Sequence, residues 1–340
     1  MSNSRSRSVP SISSKMVSSC DQSTAFTERL EATVKAIGCY PVGMNSRNYS
    51  GNPRLDAMLG ETQLCLPDLI NALRALAADA SQCILDLYAI VGEVAVSQKA
   101  DASPVTEADH ASHRLICQAL QALTPDIPIL SEESTLEQLI GRRDWPVCWM
   151  IDPLDGTKEF LDGTGEFTVN IALIVEAEAV LGLIAAPNRG YLDFGVPDWG
   201  ARRYPLFSEE EGEDLSTRVL DPTAQLVMSA SARHREERVQ MMLSRLAELA
   251  QGAERLDAGS ALKFCDVASG SADVYPRTSP CYEWDLAAGD ALVRAAGGSV
   301  TTLEGAPVRY NQWDSLKAPK FVAAGDGEIN YLERIPDPDL

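Results

Sequence analysis

The sequence predicts an α/β protein of two subdomains, and three observations carry that prediction. A strongly amphipathic stretch follows Pro67, with Leu69, Ile70, Leu73, Leu76, Ala77, Ala80, Ile84, Leu87 and Tyr88 at helical spacing. Two apolar runs, 167–175 and 180–186, read as a hairpin. From Leu226 onward, strand-like and helix-like segments alternate. At 340 residues the chain is long enough for one large domain or two of ordinary size.

Taken in order, residues 1–64 stand apart. Ten serines fall within the first 24 positions, with Arg5, Arg7 and Lys15 and no acid before Asp21. This is the composition of a disordered extension, and more weakly of an organellar transit peptide, with Met16, Met44 and Met58 as alternative starts. The first subdomain is expected over 65–220. After the helix at Pro67, Thr106 and Asp109 have capping-box spacing for a helix carrying Leu115, Ile116, Leu120 and Leu123. His110 and His113 on that helix have no third ligand in sequence, so a solvated or capping role fits them better than a metal. Residues 128–130 read as a strand that ends on Glu132 and Glu133. The charge run 209–214 reads as a solvated loop, with the subdomain boundary near Asp221. The second subdomain is expected over 221–330. In it, strand 226–228 leads into a turn at 229–234, Gly259-Ser260 opens a helix holding Lys263, and 273–277 is a strand ending on Arg277. A helix begins near Glu283 and holds Asp285, the last strands are 299–303 and 321–324, and the end frays from Pro336.

A formal charge of −20 excludes a protein that coats duplex nucleic acid or anionic lipid, because both need basic faces. It would also repel a phosphorylated ligand unless bound divalent cations reversed the sign locally. The eight cysteines are scattered with no C-x-x-C pair, which reads as reduced thiols in a cytoplasmic compartment. No run reads as membrane-spanning; the most apolar, 167–187, is interrupted by Asn170, Glu176 and Glu178. The sequence carries no signal for an oligomeric state.

The stretch 149–174 concentrates the chemistry. A buried strand at 147–151 ends on Asp152; Pro153 and Leu154 separate it from Asp155, and Gly156 and Thr157 follow. Two buried carboxylates need a counter-charge, and oxygen ligands of this kind suit a hard divalent cation. Gly156 lets backbone N–H groups approach an anion, and Thr157 sets a hydroxyl beside it. The plain alternative is an aspartate turn closed by Asx hydrogen bonds. Two strand–turn–helix junctions in the second half, at 229–234 and 259–263, are further anion-binding candidates, each with a cation nearby.

The run D-P-L-D-G-T-K-E-F, followed by G-E-F-T-V-N-I-A-L-I, resembles the metal-binding signature of the inositol monophosphatase superfamily. Lys158-Glu159-Phe160 resembles its 3′(2′),5′-bisphosphate nucleotidase branch. The resemblance implies a layered α/β/α/β/α sugar-phosphatase fold with metals in the cleft between subdomains. It implies that Glu132, Asp152, Asp155, Asp285 and the carbonyl of Leu154 hold about two or three Mg²⁺ ions. Asp109, from V-T-E-A-D, and Thr157 would orient and deprotonate the attacking water. Gly156, Thr157, Ser231, His234, Ser260, Lys263 and Arg277 would bind substrate, although S-A-R-H at 231–234 departs from the family's S-x-S-H-like turn. The implied partner is a small phosphorylated nucleotide, 3′-phosphoadenosine 5′-phosphate, converted to AMP, with its phosphosulfate analogue as a second substrate. Sulfur metabolism and inhibition by Li⁺ come with that implication. The competing readings are an inositol or sugar-phosphate phosphatase on the same metals and a non-catalytic nucleotide sensor. Retention of Asp109 and Thr157 argues against the sensor.

Overall fold

The computed structural model describes residues 51–62, 64–94, 104–231 and 237–335. Helix α1 (Pro53–Thr62) comes first, and Leu55, Met58 and Leu59 on one of its faces are buried in the core. The disordered extension expected for 1–64 therefore does not reach over this segment. Apolar residues at i, i+3 and i+4 give it a face to bury. Helix α2 (Leu66–Val94) begins one residue before Pro67, with proline in the first turn. Helix α3 (Pro104–Leu123) likewise starts on a proline, and Thr106 lies inside its first turn.

Strands β1 (Ile129–Ser131) and β2 (Val147–Asp155) pair in parallel. Helix α4 (Thr157–Leu161) leaves β2 through Gly156. The sheet then continues antiparallel through β3 (Thr168–Val175), β4 (Glu178–Ala186), β5 (Tyr191–Val196), β6 (Gly200–Pro205) and β7 (Glu213–Leu215). The tail of the acidic run expected as a loop thus forms edge strand β7, where Asp214 pairs with Arg202 at 2.7 Å.

The second sheet has the order β11-β12-β10-β8-β9. Its strands are β8 (Leu226–Ala230), β9 (Ala253–Asp257), β10 (Val274–Arg277), β11 (Ser299–Thr302) and β12 (Phe321–Ala324). Between them run helices α5 (Glu237–Leu246), α6 (Leu262–Ala268) and α7 (Glu283–Ala295).

Side-chain alternation along the strands sorts these elements into five layers. Trp149, Ile151, Ile171, Leu173, Leu181 and Leu183 face α1, α2 and α3. The intervening Cys148, Met150, Ala172, Ile174 and Ile184 share a core with α6 and α7. Phe321 and Ala323 close that core from the second sheet, whose other face packs Met228, Val274 and Val322 against Val239, Met242 and Leu246 of α5. The order is α/β/α/β/α, as the fold class implied. No helix among the described residues is long and apolar enough to cross a membrane.

Two glycines set how near α7 lies to the first sheet. A Cβ on Gly182 would sit 2.1 Å from the carbonyl oxygen of Ala288, and one on Gly195 would sit 2.8 Å from Cα of Leu292. Backbone cannot yield as a side-chain tip does, so these positions hold helix and sheet in close contact. Gly182→Ala is expected to lower unfolding free energy by about 1–3 kcal/mol, read by urea denaturation; an unchanged midpoint would show that α7 can retreat freely.

Candidate active site

The strand carrying Asp152 and Asp155 does not stop at the first acid, as its sequence suggested, but runs through both. In a regular strand, residues three apart face opposite sides of the sheet. Here the register shifts: Asp152 pairs with Asn170, Asp155 pairs with Thr168, and a bulge lies between. Bulges re-aim side chains, and this one turns both carboxylates to the same place. Two hydrogen bonds hold it: Leu154 N–H donates to Asp152 Oδ1 at 3.0 Å, and Ser112 Oγ of α3 donates to the carbonyl of Pro153 at 2.8 Å.

Asp285, from the first turn of α7, joins them. Carboxylate oxygens of Asp152, Asp155 and Asp285 all lie within 4.8 Å of one another. Asp285 also accepts from the backbone N–H of Tyr282 at 3.0 Å, which orients it at the helix start. Glu132 stands just beyond this trio on the more exposed rim. Burial of its carboxyl and the charges of Asp285 and Asp155 nonetheless push it up to about 7. Burial, then Asp155, raises Asp285 to about 6. Asp152 is driven well above the ordinary carboxylate range by burial and then by its three neighbours and Asp109. Asp155 is raised too, by burial, against the opposing charges of Lys263 and Arg277.

Asp109 faces the same cluster from α3. It is buried, its Oδ1 has no hydrogen-bond partner, and burial together with Glu133 and Glu132 pushes it up to about 8. Glu133 also meets His110 Nδ1 at 3.0 Å. His113 instead meets Ser131 Oγ at 2.9 Å, so the two histidines serve the loop behind Glu132 and not a metal of their own. Thr157 is exposed at the first position of α4. An orphaned buried oxygen beside several like charges is the environment that hard cations relieve, and the all-oxygen donor set fits Mg²⁺ or Mn²⁺.

The expected substrate residues divide into two groups. Ser231, Lys263 and Arg277 line one pocket, floored by Met228 and Met242 and walled by Tyr275. Lys263 is buried and donates to the carbonyls of Ala258 and Ser260 at 3.2 and 2.5 Å. Burial, only partly offset by Asp155, pulls its ammonium down to about 8. Arg277 holds Tyr275 Oη and the Pro280 carbonyl at 3.2 Å each. Ser260 and Gly156 meet elsewhere. Ser260 Oγ donates to the carbonyls of Asp155 and Glu166, at 3.0 and 2.6 Å, so its hydroxyl joins the turn between β9 and α6 to the bulge. Gly156 has φ 94°, and a Cβ there would lie 2.0 Å from that oxygen. His234 lies outside the described residues.

Sequence reasoning missed Thr168 and Asn170, whose side chains approach Asp155 Oδ2 at 3.4 and 3.5 Å. The available signal was two polar residues at i, i+2 on an otherwise apolar strand.

Comparison with known proteins follows the same lines. The pattern of the inositol monophosphatase family matches residues 66–331. The chain is 39% identical over 253 residues to the 3′(2′),5′-bisphosphate nucleotidase CysQ of Escherichia coli O6:H1, an alignment covering 74% of this chain and 98% of that protein. The crystal structure of CysQ from Bacteroides thetaiotaomicron is similar at 35% identity and a TM-score of 0.64, covering 75% of this chain and 97% of that one. An inositol monophosphatase from Zymomonas mobilis shares the fold at 23% identity and a TM-score of 0.61, covering 79% and 98%.

The raised carboxyls give pH dependence a definite sign. Asp285, Glu132 and Asp109 hold protons in the fold up to about 6, 7 and 8, against about 4 when unfolded. The stability they allow is full below about pH 4 and is lost as pH rises through those values. Lys263 is charged in both states below about pH 8 and adds no slope there. In chelator, the melting temperature is expected to fall between about pH 5 and pH 8.5, and millimolar Mg²⁺ is expected to restore several degrees at the upper end. A melting temperature indifferent to Mg²⁺ at about pH 8.5 would contradict the assignment of a cation site.

Proposed function

The chain belongs to the inositol monophosphatase family and is a phosphoric monoester hydrolase of that family, and on that premise we propose that it is a Mg²⁺-dependent 3′(2′),5′-bisphosphate nucleotidase. Its substrate in this reading is 3′-phosphoadenosine 5′-phosphate, which yields AMP and phosphate. One observation carries the choice: Lys263 and Arg277 line the pocket and also act by charge on Asp155. A cationic pocket therefore adjoins the acidic cluster, and a ligand with two phosphates has a place for each. A monophosphorylated inositol bound at the acidic cluster would leave Lys263 and Arg277 with no phosphate to hold. The 5′-phosphosulfate analogue carries the same anionic groups and fits as a second substrate.

We assign Asp152, Asp155, Asp285 and Glu132, with the carbonyl of Leu154, to holding about two or three Mg²⁺ ions. Bound there, the cations supply Lewis acidity toward phosphoryl oxygen and an acidified water. The remaining work belongs to the chain. With the cluster's negative charge offset, Asp109 is ionised near neutral pH and its Oδ1 can accept a proton. Asp109 and Thr157 together orient a water for in-line attack on phosphorus, and Gly156 keeps the backbone of the turn close to the phosphate. Lys263 and Arg277 hold the 5′-phosphate, with Ser231 at the pocket's edge. His234 is kept as a substrate contact on the resemblance of the S-A-R-H run alone. Ser260 serves by fixing the Asp155 carbonyl and presenting Lys263. The described cysteines are all free, which supports a reducing, cytoplasmic setting.

The direct test is phosphate release from 3′-phosphoadenosine 5′-phosphate, inositol 1-phosphate and fructose 1,6-bisphosphate across a Mg²⁺ series, with Li⁺ as inhibitor. The nucleotide is expected to be preferred; equal or better turnover of inositol 1-phosphate overturns the nucleotidase reading. Asp155→Asn is expected to abolish Mg²⁺-dependent release while the circular dichroism spectrum stays native, and near-normal turnover would remove the metal role. Lys263→Ala is expected to raise KM for the bisphosphate by about tenfold to a hundredfold, the worth of a charge-assisted hydrogen bond, and to leave a monophosphate little changed. Equal shifts for both substrates would take Lys263 out of the specificity pocket.

A further inference from the structure

We propose that Arg142, acting through Asn311 and Glu283, is a positioning residue for the metal centre; the inference rests on the metal-dependent reading above. Arg142 lies on the connection between β1 and β2. Glu132 begins that connection, and Asp152 and Asp155 follow it on β2. The Arg142 side chain is buried, at 7% exposure, while its neighbour Arg143 stands in solvent. Its guanidinium donates to Asn311 Oδ1 at 2.7 Å and to the carbonyls of Trp313 and Asp314 at 2.6 and 2.7 Å. Asn311 answers from both ends. Its amide Nδ2 donates to the Arg142 carbonyl at 2.5 Å, and its backbone N–H donates to Glu283 Oε2 at 2.6 Å.

Glu283 is the first residue of α7, two positions before Asp285, and is itself buried. Its N–H donates to the carbonyl of Leu316 at 2.8 Å. One residue before Asn311, Tyr310 Oη donates to Asp290 Oδ2 at 2.8 Å, two turns further along α7. The segment 310–316 is therefore bonded to α7 at two heights and to the β1–β2 connection at Arg142. Asn311 adopts φ 59°, a left-handed conformation that asparagine tolerates better than most residues and that this web of bonds holds in place.

This strut spans the two halves of the cluster. Glu132, Asp152 and Asp155 come from one side of it and Asp285 from the other. A buried arginine and a buried glutamate are costly, and Glu283 Oε1 has no hydrogen-bond partner; networks of this kind fix geometry more than they add stability. Neither Arg142 nor Glu283 belongs to the carboxylate trio or the cationic pocket, so their effect runs through the ligands they hold apart. Outer supports of metal ligands commonly change affinity by about 10- to 100-fold.

The test measures Mg²⁺ binding by calorimetry without substrate, alongside melting temperature and phosphate release over a Mg²⁺ series, for Arg142→Ala and Asn311→Ala. Both variants are expected to raise the Mg²⁺ Kd and the half-saturating Mg²⁺ concentration by about tenfold or more. Turnover at saturating Mg²⁺ should stay within about threefold. Arg218→Ala, which breaks the Arg218–Asp273 pair beside the second sheet, is expected to lower the melting temperature with Mg²⁺ affinity unmoved. Asn311→Ala leaves the guanidinium its two carbonyl partners, so it gives the answer should Arg142→Ala fail to fold. A lowered melting temperature with unaltered Mg²⁺ affinity in a folded variant overturns the proposal and leaves Arg142 a structural residue. An unsubstituted protein that neither binds Mg²⁺ nor releases phosphate sinks the metal reading first, and this inference with it.

Discussion

Several carboxylates gathered in a poorly hydrated place repel one another, and the rest of the structure is arranged around that repulsion. Asp152, Asp155 and Asp285 have oxygens within 4.8 Å of each other, and Asp109 and Glu132 stand close enough to have their own ionisation suppressed. No fold assembles such a group for stability, because each charge adds a desolvation penalty and a like neighbour. The arrangement makes physical sense once cations balance it. Lys263 and Arg277 offset part of the charge on Asp155, but from the pocket side, where a substrate phosphate would claim them.

Bringing the acids together takes three separate devices. A bulge between Asp152 and Asp155 overrides the two-residue alternation of the strand. Gly182 and Gly195 let α7 approach the sheet so closely that its first turn delivers Asp285 to the same point. Ser260, at φ 46°, reaches across with one hydroxyl to the carbonyls of Asp155 and Glu166 and so ties the turn between β9 and α6 to the bulge. The five-layer packing is the scaffold that lets elements far apart in sequence meet with this accuracy.

Much of this was legible before any coordinates. Helical spacing after Pro67 and the paired apolar runs marked the long helix and the central hairpin, because amphipathic periodicity reports directly on burial. The acids of D-P-L-D-G-T were visible as a motif, and Asp285 followed from the family resemblance. What could not be read was geometry set by tertiary contact. Nothing local says that 152–155 bulges, that Ser260 Oγ faces two backbone carbonyls and not a phosphate, or that Arg142 is buried while Arg143 is solvated. The bulge depends on Ser112, 41 positions from Pro153, and the Ser260 and Arg142 contacts on partners more than 90 positions away. Helix α1 was hidden for another reason: its apolar face is only Leu55, Met58 and Leu59, too short a periodic run to stand out.

The central claim is that acids from α7 and from the β2 bulge form one cation site. Anomalous diffraction from crystals grown with Mn²⁺ tests it most directly. The account predicts anomalous peaks bounded by Asp152, Asp155 and Asp285, with Glu132 at their edge. Mn²⁺ bound only elsewhere on the molecule, with these carboxylates turned apart, would contradict it.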